Sequence, residues 1–124
     1  AEDDEGFKDI MKTKLTAAGF TVYGAEDGKK AIEKAREVSP DLVLMDVSMP
    51  VLNGVDALFL MRQDKDLKNI KVVFLTNYGE KDHGFGVDVK VADELGALAF
   101  IPKSGDLNKL VEKVKGFIRP VTDT

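Results

Sequence analysis

Five residues of this 124-residue chain carry groups that could do chemistry together: the adjacent carboxylates Glu2 and Asp3, a third carboxylate at Asp46, a hydroxyl at Thr76 and an amine at Lys103. Clustered carboxylates repel unless a cation lies among them. Their hard oxygens suit Mg2+, which keeps several waters and accepts phosphate oxygens in its remaining positions. A carboxylate beside such a cation can attack a phosphoryl group and form an acyl phosphate. That transfer depends on positioning and charge neutralisation more than on covalent help from the protein. Asp46 would be the nucleophile, the cation and Lys103 would neutralise charge, and Thr76 would donate a hydrogen bond to a phosphoryl oxygen.

Each residue also has a plainer reading. The acidic run Glu2-Asp3-Asp4-Glu5 suits the positive end of a helix, with Asp4 as its N-cap. Asp46 could cap the loop from Val47 to Gly54 through an Asx turn. Thr76 alone is a strand-end hydroxyl, and Lys103 alone a solvated cation. The chemical reading needs a fold that brings them to one place.

The chain pattern predicts such a fold. Phe7, Ile10, Met11, Leu15 and Ala18 recur at three- and four-residue steps, which marks a first helix ending at Gly19. Phe20 to Ala25 reads as a strand closed by Asp27-Gly28, and a second helix carries Ala31, Ile32, Ala35 and Val38 inward until Ser39-Pro40 stops it. Leu42 to Met45 and Val72 to Leu75 are continuous apolar runs too short for helices, as expected of parallel strands covered on both faces. They end at Asp46 and Thr76; a third strand, Leu98 to Ile101, ends just before Lys103. Helices are predicted over about Val55–Gln63, Val87–Leu95 and Asp106–Ile118. Strands alternating with helices give a doubly wound parallel α/β sheet, whose strand C-termini gather at the edge where ligands bind.

With these residues in place, the chain resembles the receiver domains of two-component response regulators, of the chemotaxis-regulator type. The likeness rests on Glu2-Asp3, the block Asp46 to Gly54 with Met49-Pro50, the pair Leu75-Thr76, and Phe100 with Lys103. It spans Glu2 to about Arg119, so the domain is read as residues 1–119 with a tail at 120–124. The resemblance implies a flavodoxin-like fold, with Mg2+ held by Glu2, Asp3, Asp46 and the backbone carbonyl of Ser48. It makes Asp46 the phosphoacceptor, Thr76 the switch hydroxyl, Phe100 the switch aromatic and Lys103 the phosphate-contacting cation. Phe100 alone reads equally as core packing. The implied partners are a histidine kinase, a phosphotransfer protein or a small phosphodonor upstream. Downstream stands an effector on the face made by helix 4, strand 5 and helix 5 of a five-stranded receiver, a two-state element biased by the new charge.

The chain departs from that pattern in several places. The family's first strand precedes the acidic pair, and here only Ala1 does, so the sheet is expected to lack its first, central strand. An upstream segment, a rearranged sheet or another chain filling the gap would each compensate, and homo-oligomers by strand exchange or edge pairing follow from exposed edges. Pro102 precedes Lys103 and Ser104 follows it, so the Lys103–Ser104 peptide is expected to be trans. Asn77, larger than usual after the switch position, would slow dephosphorylation, and the glycine-rich stretch Tyr78–Gly86 reads as a long mobile loop.

Composition bounds the alternatives. A formal charge of −4 disfavours direct nucleic-acid contact, which needs a concentrated basic face. Cysteine is absent, so no disulfide or thiolate zinc site is available. No run is long enough for a membrane span and no secretory signal opens the chain, so it reads as cytoplasmic. A haloacid-dehalogenase-type phosphatase also uses an Asp nucleophile, but it needs a second Asp two residues on, where this chain has Ser48. The alternative from another class is a phosphorylation-independent interaction module that keeps the fold without the switch. A receiver is not an enzyme beyond its own phosphorylation and autodephosphorylation.

Overall fold

The computed structural model describes residues 1–49, 51–76 and 85–118. Its elements in chain order are α1 Glu5–Ala17, α2 Gly28–Val38, β1 Leu42–Asp46, α3 Gly54–Gln63, β2 Lys71–Thr76, α4 Phe85–Glu94, β3 Ala99–Pro102 and α5 Leu107–Phe117. The strands form one parallel sheet in the order β1-β2-β3.

Alternation along β2 explains how both faces are covered. Val72 and Phe74 point into a core with Ala31, Ala35, Leu58, Met61 and Ala92, contributed by α2, α3 and α4. Val73 and Leu75 point the other way, among Met11 and Leu15 of α1 and Leu110, Val111 and Val114 of α5. The strand is therefore buried from Val72 to Thr76, which is why its sequence shows no polar alternation. The helices start at side-chain caps: Asp4, Asp27, Asn53 and Asp106 each accept a backbone N–H of the first turn. Gly19, at φ 101, turns the chain out of α1.

One expected element is absent. Phe20 to Ala25 joins no ladder among the described residues; Ala1 and Glu2 lie between it and β1. The Ala1 amine donates to Leu44 O at 2.6 Å, Asp46 N donates to Ala1 O at 3.0 Å, and Glu2 N donates to Ala25 O at 2.9 Å. Beyond them, between residues 20–25 and β1, lies a cavity of about 920 Å³ lined by Val22, Ala35, Leu42, Leu44, Leu75 and Val114, among others. The outer edge of β1 at Leu42 is unpaired among the described residues. The described peptide bonds, Lys103–Ser104 included, are all trans. Asn77, most of the Tyr78–Gly86 stretch and the tail 120–124 lie outside the described residues.

Arg62 ties the far side of the sheet. Its guanidinium donates to Leu95 O at 2.7 Å, Ile70 O at 2.8 Å, Lys68 O at 3.0 Å and Gly96 O at 3.4 Å, so the end of α4 is stitched to the turn entering β2. A lysine cannot reproduce that planar fork. Arg62→Lys is expected to destabilise the fold by about 2–3 kcal/mol in urea unfolding, with faster amide exchange at Leu95 to Ala97; unchanged stability would mean the carbonyls find other partners.

Candidate functional site

The sheet brings the sequence-predicted residues to one edge. Asp46 ends β1 and pairs in register with Leu75, and Thr76 follows one residue later, opposite Pro102. Lys103 N donates to Thr76 O at 2.7 Å, so the backbone ties the amine-bearing residue to the hydroxyl-bearing one.

Lys103 Nζ lies 2.9 Å from Asp46 Oδ2 and 2.8 Å from Glu2 Oε1. The two carboxylates are almost fully buried, at 2% and 4% side-chain exposure, and the lysine is at 14%. At such burial an unpaired charge is costly, and the Lys103 ammonium offsets that cost by pairing with both carboxylates. Burial acts first to lower the Lys103 pKa, but its ion pairs with Glu2 and Asp46 outweigh this and raise it above the ordinary lysine value. The amine is therefore a fixed cation at neutral pH.

Carboxylate oxygens of Glu2, Asp3 and Asp46 lie within 4.8 Å of one another, Asp3 being the exposed member. Three carboxylates face one ammonium, which leaves the cluster net negative. Glu2 Oε1, though 2.8 Å from Lys103, makes no hydrogen bond of good angle and is otherwise a buried orphan. An all-oxygen set with an orphaned carboxylate oxygen fits a hard divalent cation. Asp46 Oδ1 accepts the Ser48 N–H at 3.2 Å, which fixes the carboxylate's rotation and folds the following loop back over it; Ser48 itself is exposed.

The same loop is held close by two glycines. A Cβ at Gly54 would fall 2.3 Å from Asp46 O and 2.8 Å from Phe74 Cε1, so only glycine lets α3 start against the Asp46 backbone; a Cβ at Gly28 would meet Leu52 O at 2.2 Å. Val51, at φ 69 and 77% exposed, takes a left-handed conformation that a β-branched residue adopts only under constraint. Phe100 is half-buried, its ring stacked on Phe74 with centroids 5.5 Å apart.

The sequence did not single out Ala1 or Phe7. Ala1 bridges Leu44 and Asp46 by its backbone, which no side-chain pattern reports. Phe7 read only as a position on the α1 stripe, yet its ring lies 5.2 Å from Lys103 Nζ.

A parallel α/β sheet whose strand ends gather three carboxylates and a lysine defines a doubly wound, flavodoxin-like receiver fold. The family description "Response regulator receiver domain" matches residues 1–115. The chain belongs to this family of two-component signalling modules. It is 34% identical over 118 residues to a transcriptional regulatory protein CpxR homolog of Haemophilus influenzae, covering 95% of this chain and 48% of that one, so it spans about half the length of that relative. The receiver domain of a signal transduction histidine kinase from Syntrophus aciditrophicus superposes with TM-score 0.81 at 27% identity, covering 100% of this chain and 90% of that one. The Thermotoga maritima response regulator TrrA, solved in complex with Mg(2+)-BeF, gives TM-score 0.78 at 26% identity, with 94% of each chain covered.

The Ala1 amine yields a pH test. Burial lowers its pKa from 8.0 to about 6, partly opposed by the charges of Glu2 and Asp46. A basic group whose folded pKa is depressed binds fewer protons folded than unfolded between those two values, so stability rises with pH across that window. For this chain with a free amine at Ala1, unfolding free energy is expected to rise by up to about 2–3 kcal/mol between pH 6 and 8. N-terminal acetylation is expected to abolish the rise; a flat profile in the free chain contradicts the burial.

Proposed function

We propose that this chain is a phosphoacceptor receiver that takes a phosphoryl group onto Asp46 from a histidine kinase, a phosphotransfer protein or a small phosphodonor. The observation that carries the reading is the buried Asp46 carboxylate held at 2.9 Å by Lys103 beside Glu2 and Asp3. Mg2+ would be held by Glu2, Asp3, Asp46 and the Ser48 carbonyl, and when bound it supplies charge neutralisation for the incoming phosphoryl oxygens. The TrrA relative bound to Mg(2+)-BeF supports the same choice.

The chain's own groups do the rest. The Ser48 N–H fixes one Asp46 oxygen and leaves the other facing Lys103. When an Asp46 oxygen attacks the donor's phosphorus to form an acyl phosphate, the donor's imidazole or acetate leaves; the ammonium transfers its pairing to a phosphoryl oxygen, and the Thr76 hydroxyl, at the end of the neighbouring strand, donates to another. Thr76 is tied through its carbonyl to the Lys103 backbone, so movement of the one pulls on the loop after β3 and on Phe100. The readout is a change in the face of α4, β3 and α5, which binds a downstream effector protein. The domain extends over residues 1–119, works in the cytoplasm and contacts neither nucleic acid nor membrane itself; no described helix is long and apolar enough to cross a membrane. Its only turnover is its own phosphorylation and autodephosphorylation.

Incubation with acetyl phosphate and Mg2+ is expected to add the mass of one phosphoryl group, lost in Asp46→Asn and on chelation of the metal. Lys103→Met is expected to slow the gain on the order of 100-fold. No gain in the native chain would leave a phosphorylation-independent interaction module.

A further inference from the structure

Among the described residues, the Lys103 ammonium meets the carboxylates of Glu2 and Asp46 and the face of Phe7 at 5.2 Å. The first two are unlike the third. Both carboxylates belong to the set proposed above for the cation and the phosphoryl group, so both are drawn away from the ammonium as the site fills. The Phe7 ring is neutral and coordinates nothing, so its attraction for the ammonium survives that change. Its backbone is anchored in the first turn of α1, with the Phe7 N–H bonded to the Asp4 cap at 3.2 Å, and the ring is partly buried against the α1–α5 cluster. Asp4 N in turn donates to Glu2 Oε2 at 3.0 Å. One short stretch, Glu2 to Phe7, thus sets both the acid and the aromatic wall that Lys103 meets.

We infer that Phe7 is a positioning residue of the phosphoryl site, its ring keeping the Lys103 ammonium beside Asp46 when metal and phosphoryl groups claim the carboxylates. The inference rests on the phosphoacceptor reading for its consequence, but its geometry stands independently. Without the ring, the four-carbon lysine stem swings toward solvent once Glu2 is engaged. A leucine would fill the space and keep the α1 stripe while losing the π face; a tyrosine or tryptophan would keep the face.

The test compares Phe7→Leu, Phe7→Tyr and Phe7→Trp by the rate of phosphoryl gain from acetyl phosphate at saturating Mg2+. Phe7→Leu is expected to be slower by about two- to five-fold, the weight of a partly exposed cation–π contact, with the half-saturating Mg2+ concentration unchanged; Tyr and Trp are expected to restore the rate. In a Lys103→Met background the Phe7→Leu change is expected to have no further effect. An equal loss in that background, or no loss in the single variant, overturns the inference, because the ring would then act without the lysine or not at all. A readout free of phosphotransfer is the ring-current shift of the Lys103 side-chain ε protons by NMR, expected to be present in the native chain and Phe7→Tyr and lost in Phe7→Leu. Its absence in the native chain overturns the inference as well. If the native chain gains no phosphoryl group while the ring-current shift is present, it is the phosphoacceptor reading that fails and the Phe7–Lys103 pairing that stands.

Discussion

A single ammonium shared between two buried carboxylates holds this site together. Glu2 arrives from the chain start and Asp46 from the end of β1, and at such burial neither tolerates the other's charge without Lys103 between them. The rest of the structure serves that arrangement. β2 and β3 set the depth at which Lys103 enters, the Asp4 cap sets the angle of Glu2, and the glycine at 54 allows the next helix to begin directly against Asp46. The arrangement also leaves a deficit. Three carboxylates against one lysine is a cluster that invites a second, stronger cation, and a switch can be built on that imbalance because adding or removing charge changes where the lysine goes.

Much of this was legible in the chain. The three strand ends at Asp46, Thr76 and before Lys103 could be read because a parallel strand buried on both faces has no polar residue until it reaches its edge. The first helix start could be read because Asp4 stands where a cap is needed, whereas the caps Asp27, Asn53 and Asp106 were not singled out. Phe20 to Ala25 was read as a strand and joins no ladder among the described residues: its composition suits a strand, but strand formation is a relation between two segments, which no local pattern reveals. The role of Ala1 lies in backbone atoms, and that of Phe7 in a contact across nearly a hundred positions, so neither leaves a mark on spacing.

The same comparison separates fold from function. Family membership follows from the match over residues 1–115 and from the sheet itself, whereas the roles proposed for Asp46 and Lys103 rest on the 2.9 Å between their side chains, and those proposed for Thr76 and Phe100 on their places at and beside the strand ends. Phe100 stacks on Phe74, which is the contact through which the proposed switch would reach the core.

The most direct measurement is a crystal structure of the chain grown with Mn2+ and beryllofluoride. An anomalous peak about 2.1 Å from Asp3 and Asp46 oxygens, beryllium on an Asp46 oxygen and Lys103 Nζ on a fluoride would bear the account out. A metal bound elsewhere, or Lys103 extended into solvent with Asp46 unmodified, would contradict it.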